Sequence, residues 1–411
     1  LKERYLPSFL VVASYYFYAG WNIYYLPLLL ATTALDYGIC QVLAREETPG
    51  RRKGLVALSL VGNLGLLLFF KYGNFLWENI AYGLLRGAGA DVPAVLAITL
   101  PVGISFYTFQ SMGHTIDVYR RDFNREVSLG QFALYVSFFP QLVAGPILRG
   151  MEFFPQLDRL RERRDWWGGL DLVVTGFLKK VLIADNLALY VDAVFADTQG
   201  YSTTEITLAT YAFAAQIYCD FSGYTDIARG VAKWIGIEIP INFDYPYFSQ
   251  GIVDFWRRWH ISLSSWLRDY LYISLGGNRG GQYRTLRNLL LTMALGGFWH
   301  GAAWNFLLWG IYHGVLLVIA HTTGWLSGPV EGEKTWRRLL RAAATFHLVL
   351  IGWFLFRVGQ LGDIEALWTS KAVELVRDTG ELYHMLAYLL VFICAHSLRY
   401  MTGLRIVASE R

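Results

Sequence analysis

Charge is what this sequence has least of. Only 17% of its 411 residues are Asp, Glu, Lys or Arg, while 55% are hydrophobic and 16% aromatic. A soluble domain carries roughly 25% charged residues. The deficit, with long apolar runs, excludes an ordinary soluble domain and indicates a polytopic membrane protein. The net charge of +4 is spread over short clusters, which excludes the dense basic face that nucleic acid would need. Cysteine is nearly absent: Cys40, Cys219 and Cys394 are far apart, have no zinc-type spacing, and read as packing residues in apolar surroundings. No metal set is expected. Gly-x-Ser-x-Gly, P-loop and dinucleotide fingerprints are missing. No internal repeat of the inverted kind is visible, which weakens a transporter reading, and no low-complexity linker divides the chain. The first apolar stretch, Tyr5–Tyr18, lacks an Ala-x-Ala-like site and reads as a retained membrane helix. The expectation is one membrane domain over residues 1–411, beginning at Leu1 with its N-terminus cropped or processed.

What is present is a set of apolar stretches long enough to span, about 20 residues each. Candidate spans are Tyr5–Gly20, Ile23–Ala44, Leu55–Phe75, Pro93–Val118, Gly169–Phe195 and Glu205–Ala228. Leu286–His321 is long enough for two, and Leu339–Val358 and Leu382–Leu398 complete the set. Basic clusters at Arg45–Lys53, Arg120–Arg125, Arg149–Arg164, Arg257–Arg287 and Arg337–Arg341 place those loops in the cytoplasm. The loops at Trp77–Val92, Ala196–Thr204 and Gly359–Gly380 carry less clustered charge. Gln131–Leu148 has basic flanks on both sides, and Pro140, Gly145 and Pro146 interrupt any helix there. A re-entrant segment accounts for both facts and implies a polar cavity, since irregular backbone survives at membrane depth only inside protein or beside water. The fold class expected is all-α: about ten transmembrane helices plus re-entrant and interfacial pieces, with both termini cytoplasmic.

The chemistry concentrates in Phe255–Gly301, where His260 and His300 stand near the ends of a basic, tryptophan-rich segment. Intramembrane imidazole is costly unless it is paired or faces a cavity. Taken as one helix over Asp254–Tyr272, Val253, Trp256, His260, Leu263 and Leu267 share an apolar stripe, while Arg257 and Arg268 lie on another line with Ser264. An interfacial helix with arginines on lipid headgroups and a packed histidine accounts for the same spacing, so both readings stand. Arg257, Arg258, Arg268 and Arg279 are possible contacts for the phosphates of a coenzyme A donor, and anionic headgroups would attract the same side chains. His300 is different. Thirteen helical residues from Arg287 carry it roughly 20 Å inward, past the middle of the bilayer core. Gly296, Gly297 and Gly301 leave room beside it, and Trp299 and Trp304 wall it. A neutral imidazole there can act as general base; a helix-packing histidine is the competing account. Asp220 and Asp226, near a span end, either orient a histidine and line the cavity or cap and pair locally with Arg229 or Lys233. The six other histidines, His313 among them, read as interfacial or packing residues.

Six motifs occur in order: Pro-Val-Gly-Ile-Ser-Phe-Tyr-Thr-Phe-Gln (101–110), Phe-Pro-Gln-Leu-Val-Ala-Gly-Pro (139–146), Asp-Phe-Ser-Gly-Tyr-Thr-Asp (220–226), Phe-Trp-Arg-Arg-Trp-His-Ile-Ser-Leu-Ser (255–264), Leu-Arg-Asp-Tyr-Leu-Tyr-Ile-Ser-Leu-Gly-Gly-Asn-Arg-Gly-Gly (267–281) and Phe-Trp-His-Gly-Ala-Ala-Trp (298–304). Together they resemble the membrane-bound O-acyltransferase family over essentially the whole chain, with the alginate O-acetyltransferase branch nearest. The resemblance implies a helical fold around a funnel or tunnel. By motif, His300 matches the family's catalytic histidine and His260 its second functional histidine. It further implies an acyl group moved from a cytoplasmic thioester, acetyl-CoA or another, to a hydroxyl, with no bound cofactor. Asp220, Asp226, Trp299 and Asn305 are expected to line the cavity. The expected setting is the bacterial inner membrane, with the lipid bilayer, a periplasmic acetyltransferase partner and an exopolysaccharide as partners, and no nucleic acid. D-alanyl transfer to teichoic acid and a non-enzymatic sugar or lipid-linked transporter are the alternatives.

Overall fold

Pro7, Pro27 and Pro49 each stand at the start of a helix, where the missing N–H has no partner to lose. The computed structural model describes residues 5–88, 98–160, 162–365 and 379–402. It divides into two compact units, one of Leu1–Asp165 with Val231–Ile239, the other of Trp166–Gly230 with Pro240–Arg411. Among the described residues the regular structure is helical, and its β-type pairing is one isolated bridge, Phe243 with Trp259.

The first unit begins with α1 (Leu6–Asn22) and α2 (Leu26–Arg45), joined by a single 3₁₀ turn in which the Asn22 side chain accepts from the Tyr24 amide at 2.9 Å. Then come α3 (Pro49–Leu76), α4 (Tyr82–Gly87), α5 (Ile104–Arg120), α6 (Leu129–Ser137) and the short α7 (Gly150–Phe153). A polar seam runs through the packing of α2, α3 and α5. The buried Asp36 carboxylate accepts from Ser59 Oγ at 2.6 Å, from Asn63 Nδ2 at 2.8 Å, and from the Ser111 hydroxyl. Buried polar groups are tolerated when paired in this way. Arg52 closes two helix ends at once, donating to the Leu43 and Glu46 carbonyls at the end of α2 and to the Val118 and Tyr119 carbonyls at the end of α5. A cation there meets the negative pole of each helix. α6 starts on a reciprocal Ser128–Gln131 cap and stops at Ser137, before Pro140.

The second unit is built on α8 (Trp166–Phe177) and α9 (Asp185–Ala196), joined by a π-helical turn, against α10 (Thr203–Ile235). Glycines set their approach: a Cβ at Gly176 would lie 2.5 Å from the Gly223 carbonyl oxygen, and one at Gly230 2.5 Å from that of Gly169. α11 (Ile252–Arg258) and α12 (Ile261–Trp266) follow, then a turn of glycines, α13 (Gln282–His300), α14 (Trp304–Thr323), α15 (Thr335–Arg357) and α16 (Thr379–Thr402). The core of this unit is aromatic, with Phe255, Trp309 and Trp353 almost wholly buried.

Among the described residues, five helical stretches are long and apolar enough to cross a membrane: Leu6–Arg45, Pro49–Gly87, Trp304–Thr323, Thr335–Arg357 and Gly380–Leu398. The first two run to 40 and 39 residues. Length and composition therefore do not reproduce ten spans, because α10 carries Glu205, Asp220, Asp226, Arg229 and Lys233, and the π turn after α8 carries two lysines. The Leu286–His321 run does form two helices, α13 and α14, turning at Gly301. The start of the expected span Pro93–Val118 and parts of the loops Trp77–Val92 and Gly359–Gly380 lie outside the described residues. One expectation is corrected outright: Asp254–Tyr272 is not one helix. It breaks at Trp259–His260, where His260 takes a left-handed conformation (φ 44°). Residues 242–244 cause the break by taking the backbone groups a helix would use. Ile261 N–H donates to the Asn242 carbonyl, Ser262 N–H to Asn242 Oδ1, and Asp244 N–H to the Arg258 carbonyl.

Candidate active site

Left-handed backbone at a non-glycine residue costs of order 1–3 kcal/mol and persists only where the surroundings enforce it. At His260 the strained turn places the imidazole at 2% exposure, edge-on to Phe221 at 4.6 Å between ring centres and steeply tilted to Trp299 at 6.4 Å. Burial, and then the like charge of His300, hold His260 well below the usual histidine pKa, so it is neutral. Its Nδ1 has no hydrogen-bond partner among the described residues.

His300 closes α13. Trp299 (5.1 Å), Trp309 (5.2 Å) and Phe356 (5.4 Å) meet its ring nearly at right angles. The fold supplies each wall. Phe356 is held because Asn305 Nδ2 donates to the Phe356 and Val358 carbonyls, both at 3.0 Å, closing the C-terminus of α15. Trp309 is brought close because Gly297 and Gly310 let α13 and α14 touch: a Cβ at Gly297 would lie 2.4 Å from the Phe306 carbonyl oxygen and 2.7 Å from Gly310 Cα. The two histidines, forty positions apart in sequence, thus share Trp299 as a common wall, and the charge of one is felt at the other.

The remaining predicted residues fall into different settings. Arg258 is committed to Asp254 at 2.7 Å and to Asp244 at 3.7 Å, and those carboxylates hold its guanidinium charged against partial burial. Arg268 pairs with its neighbour Asp269 at 2.6 Å and is exposed. Arg257 and Arg279 are exposed, the latter within the glycine turn that Asn288 fastens by donating to the Leu275 and Gly277 carbonyls. Asp226 pairs with Lys179 and Asp220 with Lys180, both at 2.6 Å, so their partners come from the π turn rather than from Arg229 or Lys233. Asn305 is buried and acts as the helix cap described above. Among the described residues no group of three His, Cys, Asp or Glu is placed to hold a metal ion.

Sequence reasoning missed three members of this neighbourhood: Trp309, Phe356 and His313. His313 follows Trp309 by four residues, one helical turn, and that spacing was the available signal.

Comparison with known proteins gives a consistent result. The profile of the MBOAT, membrane-bound O-acyltransferase family matches residues 118–325, a range that contains both histidines. The chain is 44% identical over 361 residues to a protein of Azotobacter vinelandii named probable alginate O-acetylase, covering 87% of this chain and 71% of that one. A peptidoglycan O-acetyltransferase of Helicobacter pylori is 35% identical over 384 residues, covering 86% and 71%. A teichoic acid D-alanyltransferase of Streptococcus thermophilus is 31% identical over 299 residues, covering 66% and 70%.

Proposed function

Because this chain belongs to the membrane-bound O-acyltransferase family, we propose that it transfers an acetyl group from a cytoplasmic thioester, such as acetyl-CoA, for O-acetylation of a bacterial exopolysaccharide such as alginate. That the protein is a membrane-embedded O-acyltransferase follows from the family match and its apolar helices. The acetyl group, the donor, the polysaccharide, the inner-membrane setting and a periplasmic partner protein belong to this reading. So do about ten crossings, a re-entrant Gln131–Leu148 segment, and a passage leading to His300. The observation that carries it is the pairing of a neutral, buried His260 with a half-buried His300 around Trp299.

In this reaction His300 takes the proton of the acceptor hydroxyl as its oxygen attacks the thioester carbonyl. The C–S bond then breaks, the thiolate leaves and recovers a proton, and an oxygen ester and a free thiol result. The aromatic walls exclude water, which favours transfer to the acceptor over hydrolysis. His260, neutral and behind Trp299, supports donor placement or proton movement from the cytoplasmic side. The greater identity to O-acetyl than to D-alanyl transfer proteins supports acetyl as the group moved.

The test is thiol release and acetyl transfer from acetyl-CoA by purified protein, without an ion gradient. His300→Ala is expected to lower the rate by about 10²–10⁴, the usual worth of a general base, with unchanged membrane insertion. Retention of more than about a tenth of the activity contradicts the role.

A further inference from the structure

His313, on α14, is 0% exposed, and neither of its ring nitrogens has a partner among the described residues. Its ring forms a triangle with two indoles: Trp309 at 5.0 Å, Trp256 at 5.2 Å, and those two 5.7 Å from each other. The Nε1 atoms of both tryptophans are likewise buried and unpartnered among the described residues. Four polar atoms are therefore collected in one buried aromatic cluster. Phenylalanine would fill the position of His313 without that penalty, since an unpaired buried polar group costs free energy that a matched apolar one does not. α15 packs directly on this ring: a Cβ at Gly352 would fall 2.5 Å from His313 Nε2.

The cluster is one ring away from the reaction. Trp309 meets His313 at 5.0 Å and stands edge-on to His300 at 5.2 Å. We propose that His313 is a positioning residue for acyl transfer: with Trp256 and Trp309 it holds a buried water, which fixes the indole that orients His300. One water can accept from both indole N–H groups and bond to the imidazole, within the two to four partners that a buried water requires. The proposal rests on the transfer reaction assigned to His300. Its geometric part stands independently of that assignment.

Four substitutions and two readouts test it. His313→Phe keeps the ring and removes both nitrogens; His313→Gln and His313→Asn restore a polar end. With acetyl-CoA as donor, His313→Phe should leave the donor KM within about twofold and lower kcat at least about tenfold, because small misplacements of a reacting group cost rate steeply. Gln or Asn should recover at least threefold of that loss. Carbethoxylation of His300 by diethyl pyrocarbonate, followed by mass spectrometry, reads the orientation of the ring without turnover, and His260 is shielded from the reagent by burial. It should slow at least threefold in His313→Phe. Unchanged kcat and unchanged labelling in a well-inserted His313→Phe protein would show that the residue only packs. If that variant does not accumulate, Trp256→Phe removes one N–H of the cluster, and unchanged labelling of His300 there overturns the proposal equally. If the natural protein transfers nothing from acetyl-CoA, the functional reading fails while the labelling result still decides the geometry.

Discussion

Alanine at Gly297 adds a single methyl group where α13 and α14 touch, and its cost can be worked from the structure. The new Cβ would lie 2.4 Å from the Phe306 carbonyl oxygen and 2.7 Å from Gly310 Cα, and both obstacles are backbone. Ordinary contact needs about 3.4 Å, so the helices must separate by roughly 1 Å, an overpacking change that costs about 1–3 kcal/mol. Gly297 precedes His300 by three residues on the same helix, whereas Trp309 lies on the other, so the displacement falls directly on the His300–Trp309 approach of 5.2 Å. A 1 Å misplacement near reacting groups can cost about 10² in rate. Gly297→Ala should therefore lower kcat about a hundredfold and depress the thermal midpoint. Gly65→Ala, where an added Cβ meets nothing within 4 Å, should do neither. The assay pairs thioester turnover with thermal unfolding in detergent. A Gly297→Ala protein within threefold of natural kcat, with an unchanged midpoint, would refute the claim that this helix crossing positions the site.

Other outcomes follow from the same contacts. Arg258→Ala should lower stability by about 1–2 kcal/mol without changing the donor KM, because its bonds go to Asp254 and Asp244. Arg257→Ala or Arg268→Ala should instead raise the donor KM with little effect on kcat if these exposed arginines meet the donor phosphates; lost insertion with an unchanged KM would assign them to lipid. The folded-state pKa of His260 lies below its unfolded value of about 6.5, so the unfolded chain takes up the proton first. Its contribution to stability is complete above about pH 7 and is lost as the pH falls below 6.5, by up to about 1.4 kcal/mol per pH unit. His260→Gln should flatten the thermal midpoint between pH 7 and 5, and an equally steep profile in that variant would contradict the burial argument. Asp36→Ala strands the donors of Ser59, Asn63 and Ser111 and should cost about 3–5 kcal/mol, as removal of one side of a buried charged network does; a midpoint within 2 °C of the natural protein would speak against it.

Much of this was legible in the chain. Helical class follows from apolar length, and His260 and His300 were singled out as candidates by their setting in such sequence. The glycines beside His300 do permit close approach, to the neighbouring helix. The break at His260 was not legible, because periodicity over Asp254–Tyr272 is a local signal and the competing partner, Asn242, lies outside that window. The partners of Asp220 and Asp226 were missed for a related reason. Arg229 and Lys233 suit helical spacing, but the π turn of Leu178–Ala184 delivers two lysines from a different element. The surroundings of His313 were not legible, because they are made by Phe255, Trp256 and Gly352, none of them near it in sequence.

The seam at Asp36 also bears on how such a protein is made. A carboxylate at the centre of an apolar helix opposes membrane insertion by about 2.5–3.5 kcal/mol on biological scales. Two of the three groups that satisfy it, Ser59 and Asn63, lie on α3, the next helix to be synthesised, and the third, Ser111, follows on α5. α2 and α3 can therefore enter the bilayer as a pair whose internal bonds already offset the charge, before α5 exists. Arg52, at the start of α3, fastens the end of α2 through the carbonyls of Leu43 and Glu46 in the same early step, and its bonds to Val118 and Tyr119 must wait for α5. For Asp36 and Arg52, then, the first partners come from an adjacent helix of the chain, and α5 supplies the rest.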